Sequence, residues 1–176
     1  MFELPLKPAR CYTHQQKPPY TRKEYIHGIP PPKITKFVMG NTKLNPEVRL
    51  VLKALEGGVI RHNALEAARV AANRLLMDKL SNNYFMQVYP YPHVVLRENK
   101  MIFGAHADRL QDGMRRAFGK PIGTAARVSP NQSIITIRVN GEGVEVAKEA
   151  LRRASAKLPI PCRIVIEKIV KAQAEG

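Results

Sequence analysis

At 176 residues and 44% hydrophobic content, the chain is long enough to bury one sizeable core. Its 29 Lys and Arg outweigh 14 Asp and Glu, giving a formal net charge of +15 and a pI near 10.2, the footprint of a nucleic-acid binder rather than of a small acidic or neutral enzyme. No apolar run is long enough to span a bilayer, no basic cluster flanks an apolar anchor, and the N-terminus lacks the apolar core of a secretory signal. A membrane is therefore excluded as a partner and the expected location is the cytoplasm.

Residues 1–40 form a first unit, a basic proline-rich arm. Pro18-Pro19 and the run Pro30-Pro31-Pro32 forbid a sustained helix or a central strand, so the arm should run extended. Lys7, Arg10, Lys17, Arg22, Lys23, Lys33 and Lys36 are opposed only by Glu3 and Glu24, and Tyr12, His14, Tyr20, Tyr25 and His27 are interleaved with them. Cations neutralise phosphates and planar rings stack on unpaired bases, so Lys7, Arg10, Tyr12, Lys17, Arg22, Lys23, Lys33 and Lys36 are candidate RNA-binding residues. A solvated, disordered tail is the competing reading, against which the tyrosines argue.

Residues 41–171 read as the globular unit, with 172–176 a short tail. Residues 47–56 are ambiguous: Asn45-Pro46 could open a helix carrying Val48, Val51, Leu52 and Leu55, and the same residues alternate as a strand closed by Gly57-Gly58. Asn63-x-x-Glu66 resembles a capping box, and Leu65, Ala68, Ala72, Leu75, Leu76 and Leu80 follow at helical spacing, predicting a helix to about Leu80 with Arg69 and Arg74 as further RNA-contact candidates. Tyr84 to Tyr89 alternates as a strand; Pro90 and Pro92 place YPYP at a turn or sheet edge, and His93 to Arg97 resumes a strand. His93 reads as structural rather than as a ligand.

Between two strand-like segments lies Gly104 to Arg127, too long for a hairpin turn. Four glycines keep its backbone permissive, and Arg109, Arg115, Arg116, Lys120 and Arg127 outnumber Asp108 and Asp112. The combination suits a mobile finger that meets polyanion. Leu110, Met114 and Phe118 at i, i+4 and i+8 also allow a short docked helix, kept marginal by Gly113. A phosphate-binding P-loop is rejected: five residues separate Gly113 from Gly119, Pro121 stands where Ser or Thr would hold Mg²⁺, and no apolar strand immediately precedes the stretch.

Beyond it, Ala126-Arg127-Val128 starts a strand, Ser129-Pro130-Asn131 turns, and Ser133 to Val139 alternates with Ile135, Ile137 and Val139 on one side. Asn140-Gly141 turns again. A second helix is predicted from about Gly143 to Leu158, with Val144, Ala147, Leu151, Ala154 and Leu158 inward, stopped by Pro159 and Pro161 before a last strand over Cys162 to Val170. Two helices and several mostly antiparallel strands make an α+β fold, the helices packed on the sheet. Cys11 and Cys162 lack zinc or disulfide spacing and read as reduced thiols. Glu98, Asp108 and Asp112 form no acid/base pair, and the five histidines show no metal spacing, so neither catalysis nor a cofactor is expected. Net charge alone leaves a DNA-compacting protein as the alternative to an RNA binder.

The pattern resembles the universal large-subunit ribosomal protein sixteen family in its archaeal–eukaryotic (ten-e) branch. The residues that carry it are Arg10-Cys11-Tyr12, Gly28-Ile29-Pro30 with Pro32-Lys33-Ile34, Ala64-Leu65-Glu66-Ala67-Ala68-Arg69, and Glu149-Ala150-Leu151-Arg152-Arg153-Ala154. Most specific are Ala107-Asp108-Arg109-Leu110-Gln111, Gly113-Met114-Arg115 and Ala117-Phe118-Gly119-Lys120-Pro121. The resemblance implies a structural rRNA-binding protein of the large subunit with an α+β core near the tRNA corridor. Its implied partners are 23S rRNA, tRNA and other large-subunit proteins, with the 5S rRNA region a further candidate. The family's long internal loop, which reaches toward the peptidyl-transferase centre, maps onto about 104–127. Phe37-Val38-Met39-Gly40, Ile122 and an end soon after Val170 depart from the eukaryotic pattern and favour an archaeal source.

Overall fold

The computed structural model describes Tyr12, residues 19–99 and residues 118–168. Over residues 19–99 and 118–168, eight strands and two α-helices follow in the order β1 (Val38–Gly40), β2 (Val48–Ala54), β3 (Gly58–Arg61), α1 (His62–Leu80), β4 (Tyr84–Val88), β5 (Val94–Glu98), β6 (Lys120–Val128), β7 (Ser133–Val139), α2 (Val144–Ser155) and β8 (Cys162–Lys168). They build a five-stranded sheet of order β1-β4-β7-β2-β8 and a three-stranded sheet of order β3-β6-β5. Every pairing is antiparallel, as the α+β expectation required.

The ambiguity at 47–56 resolves as a strand. β2 lies between β7 and β8, and its Leu50, Val51 and Leu52 are all buried. Leu50, Leu52 and Ala54 join the main core while Arg49, Val51 and Lys53 alternate onto the other face, and over so short a segment the same apolar positions also fit a helix, which is why local periodicity did not decide the matter. β7 spans the predicted Ser133 to Val139 and occupies the centre of the sheet.

Both helices cover one face of that sheet. Leu65, Ala68, Ala72, Leu75 and Leu76 of α1 and Ala147, Ala150, Leu151 and Ala154 of α2 are buried against Leu50, Leu52, Met86, Val88, Ile135, Ile137 and Val139. Alanines on the facing sides of the two helices allow a close approach. Each fully buried large aliphatic contributes about 1.5–3 kcal/mol. Helix α2 ends at Ser155, three residues before the expected Leu158, and unwinds through the turn bonds Lys157 N–H to Ala154 O and Leu158 N–H to Ser155 O, both 3.0 Å, ahead of Pro159.

Two local expectations are corrected. Helix α1 starts at His62, with Arg61 at its N-cap and no side-chain cap bond, so the capping box does not form. The Asn63 carboxamide accepts instead from the neighbouring Ala64 N–H at 2.9 Å, and Glu66 turns to Arg69. A guanidinium one turn along binds a carboxylate more strongly than a lone backbone amide does. The second correction is the end of the stretch 104–127: its last eight residues lie inside β6, with Lys120 opposite Glu98 and Arg127 opposite Val59. Pro121 and Gly123 made this segment read as a loop. Pro121 is tolerated because it sits next to a register shift at Leu96/Arg97 and outside the span that β3 pairs.

Candidate nucleic-acid interface

From Pro19 to the start of β1 the arm is fastened at four places. The Tyr20 carbonyl accepts from Val95 N–H at 2.8 Å, the Lys33 N–H donates to His62 Nδ1 at 2.9 Å, Ile34 is buried in the main core, and the Phe37 carbonyl accepts from Val88 N–H at 2.8 Å. A short 3₁₀ turn at Lys23–Tyr25 interrupts an otherwise extended path. The described part of the arm is thus docked rather than a free tail, and its side chains divide by type. Arg22, Lys23, Lys33 and Lys36 are exposed, as is Tyr25, 72% accessible. A backbone held by its apolar and peptide groups leaves its cations and one ring for a partner.

His62 makes the clip between arm and helix. Burial, and then the neighbouring charges of Lys33 and Arg61, hold its imidazole below the usual histidine range. The neutral ring is the form whose Nδ1 can accept from Lys33.

Tyr12, one of the RNA-contact candidates, is engaged within the fold. Its hydroxyl donates to Glu98 Oε2 at 2.7 Å, the Arg61 guanidinium lies 5.5 Å from its ring centroid, and the ring packs beside Val59, Leu96 and Ala125. It is a packing residue of the three-stranded sheet. Arg69 is likewise committed: it binds Glu66 with Nε–Oε2 at 2.8 Å and touches Met39 Sδ at 3.1 Å. The Arg69 hydrogen bond holds the Glu66 carboxyl below its ordinary value against the effect of burial, and raises the guanidinium in return. Arg74 is exposed on α1.

Around the end of β5 the chain builds a rigid collar. Arg97 donates from Nη2 to the Gly119 carbonyl at 2.7 Å and from Nε to the Phe118 carbonyl at 3.3 Å, and its guanidinium sits 4.2 Å from the Phe118 ring centroid. Tyr20 meets the same ring edge-on at 5.0 Å. Gly119 has φ +71°, and a Cβ there would come within 2.3 Å of the Glu98 carbonyl carbon. No other residue fits so close a turn. Lys120 is exposed beside this collar, whereas Arg127, also exposed, stands seven residues further along β6, about 23 Å at the usual rise of a strand. The collar therefore gathers Lys120 but not Arg127.

Lys7, Arg10, Lys17, Arg109, Arg115 and Arg116 lie outside the described residues, as do Cys11 and nearly all of the short helix considered between Asp108 and Phe118. Phe118, which was to close that helix, is in a turn. Sequence reasoning missed Arg97. Its only signal was its place at the end of a predicted strand, shortly before the long basic stretch. Among the described residues no group of three His, Cys, Asp or Glu could hold a metal, and no helix is long and apolar enough to cross a membrane. Cys162 is a free, half-buried thiol pushed up to about 11 by burial.

With this geometry in view, the comparisons with known proteins are specific. The family model described as Ribosomal protein L16p/L10e matches residues 15–165. Large ribosomal subunit protein uL16 of Staphylothermus marinus is 61% identical over 165 residues, covering 93% of this chain and 95% of that protein. The protein of the same name from Hyperthermus butylicus is 58% identical over 167 residues, 92% and 93% of the two chains. That of Sulfolobus acidocaldarius is 55% identical over 174 residues, 97% and 99% of the two.

Proposed function

The chain belongs to the ribosomal protein L16p/L10e family, and from that premise we propose that it docks on 23S rRNA through its arm and presents the segment between Asn99 and Phe118 to tRNA. It is a structural component of the large ribosomal subunit and not an enzyme. The observation that carries the RNA reading is the docked arm, with Arg22, Lys23, Lys33 and Lys36 exposed around Tyr25 on a backbone fixed to the core. Such cations supply sequence-independent phosphate affinity, and an exposed ring can stack on a splayed base.

The tRNA reading draws on the collar. Arg97, Gly119 and the Glu98–Lys120 pairing fix where the chain leaves β5 and where it rejoins β6. The intervening sequence holds Arg109, Arg115 and Arg116 against Asp108 and Asp112. Substituting Arg22, Lys23, Lys33 and Lys36 together should weaken assembly into subunits, whereas changing Arg109, Arg115 or Lys120 should leave assembly intact and harm tRNA-dependent function. The 5S rRNA region and neighbouring large-subunit proteins complete the proposed surroundings.

Sedimentation of the native protein through a sucrose gradient, with DNase or RNase added beforehand, tests the reading. Co-migration with large subunits that only RNase abolishes is the expected result. Migration with DNA would mean the DNA-compacting alternative. If the loop variants dissociate from subunits as readily as the arm variants, the division of labour between arm and loop is wrong.

A further inference from the structure

The five-stranded sheet has a second face, turned away from both helices, and strand alternation places charge on it. In antiparallel pairing, residues directly opposite share a face. Arg49 lies opposite Arg138 on one side and Glu167 on the other, and Lys53 lies opposite Arg163. Four cations therefore meet one carboxylate, Glu167, which reaches Arg49 at 3.9 Å and Lys53 at 3.6 Å. Like charges directly across a ladder oppose folding, so fold stability alone does not account for the Arg49–Arg138 and Lys53–Arg163 pairings.

The guanidiniums are held rather than loose. Arg138 lies over the Phe85 ring, 5.2 Å from its centroid. The Nε atoms of Arg49 and Arg138 and the Thr136 hydroxyl are buried with no hydrogen-bond partner among the described residues. Arg163 is exposed, and Arg49 and Lys53 are about one-third exposed at 34% and 30%. Of the apolar side chains on this face, Val51 at its middle is buried, Val165 opposite it and Phe85 opposite Arg138 are half-buried, and Val38 at the β1 edge is exposed, so no broad apolar centre is open. A protein partner would look for an apolar centre; this face offers planar, multidentate donors, which match phosphate oxygens.

We propose that the helix-free face of the five-stranded sheet, through Arg49, Lys53, Arg138 and Arg163, is a second RNA-docking surface that grips phosphates of the rRNA independently of the arm. The surface rests on the reading of the chain as a large-subunit protein. It differs from the arm in being mounted on the paired strands β7, β2 and β8, so its cations keep a fixed spacing before the RNA arrives.

The test is rebinding of the full chain to large subunits from which the protein has been removed by a high-salt wash, followed across a salt series. Each lost phosphate contact lowers the slope of log affinity against log salt by about 0.7–0.9. The combined variant Arg49→Gln, Lys53→Gln, Arg163→Gln should lower that slope by about 2 and rebind at least roughly tenfold more weakly near 0.1 M salt. Its far-UV circular dichroism and melting curve report whether it folds. Arg163→Gln alone, at an exposed position, asks the same question if the combined variant does not, with a slope change just under 1.

A wild-type slope in the folded variants overturns the proposal while the family-based reading stands. Failure of the wild-type chain to rebind overturns both. A benzophenone-bearing residue substituted at Arg163 should crosslink to RNA on irradiation of the rebuilt subunit. A crosslink to protein alone would assign the face to an acidic protein partner and overturn the RNA proposal.

Discussion

On the arm, Arg22, Lys23, Lys33 and Lys36 stand exposed on a backbone pinned at Tyr20, Lys33, Ile34 and Phe37, whereas on the five-stranded sheet Arg49 and Arg138 rise from interior strands with their Nε atoms buried. The difference teaches how a small basic protein can present its cations in two ways. The arm cations are exposed, so removing them should change the proposed RNA affinity with little effect on the fold. The sheet cations have already lost part of their hydration on folding, and their positions are as fixed as the core beneath them.

The strongest way to break that contrast is to remove the platform. Ile137→Ala, in the fully buried layer between Arg138 and Thr136, should destabilise the chain by about 2–5 kcal/mol. Ile34→Ala, which loosens one fastening of the arm, should fall at or below the low end of the same range. Urea unfolding of the two variants decides the matter, and an equal loss would mean that the arm is as integral to the fold as the central strand.

A smaller effect is expected at the collar. Gly119→Ala forces a side chain into a left-handed backbone against the Glu98 carbonyl and should cost on the order of 1–3 kcal/mol. Since Tyr20 rests on Phe118, hydrogen exchange at the Val95 amide, which is bonded to Tyr20, should quicken in the same variant. Unchanged exchange there would show that the arm docks independently of the collar.

The pH dependence of the arm clip should be smaller again. His62 titrates below its unfolded value of 6.5, so its contribution is complete above that value and is lost as pH falls from about 6.5 through the lower folded value. Glu66 is also lowered, from 4.5, and its contribution disappears only below about that pH. The two windows separate. Denaturant midpoints at pH 7.5 and 5.5 should differ in the wild-type chain and differ less in His62→Gln.

The least effect on the fold belongs to the arm itself. Replacing Arg22, Lys23, Lys33 and Lys36 by Gln should move stability by no more than about 0.5 kcal/mol while reducing the salt slope of RNA binding by about 3. A stability loss well above that figure would erase the distinction between solvated and pre-set cations.

Sequence reasoning reached α1, β7 and the antiparallel α+β plan because each depends on local periodicity or on turn residues flanking a short apolar run. It could not choose helix or strand for residues 47–56, since the answer lies in partners 80 or more residues away, at Ser133 to Val139 and Cys162 to Lys168. It ended the long loop too late because Pro121 and Gly123 are loop residues by composition, and only the pairing of β6 with β3 and β5 makes them part of a strand. At the interface, the exposed arm cations were legible as charge among prolines. That Tyr12 and Arg69 are engaged within the fold was not legible, since their partners Glu98, Arg61, Glu66 and Met39 are set by the fold or by a side chain's choice between neighbours. Arg49, Arg138 and Arg163 were hidden in strands that read as core.

The two ends of the five-stranded sheet bear on the chain's life before it joins any particle. An open strand edge is a template for stacking one copy on the next. Here one edge, β1, is three residues long and closes on Gly40, whose φ is +84° and whose Cβ position would lie 2.2 Å from the Tyr84 carbonyl oxygen. The other edge, β8, carries Arg163, Glu167 and Lys168 along its seven residues. Among the described residues, one rim is thus short and sharply turned and the other carries charge, two features that oppose strand-to-strand stacking of copies before the chain joins a particle.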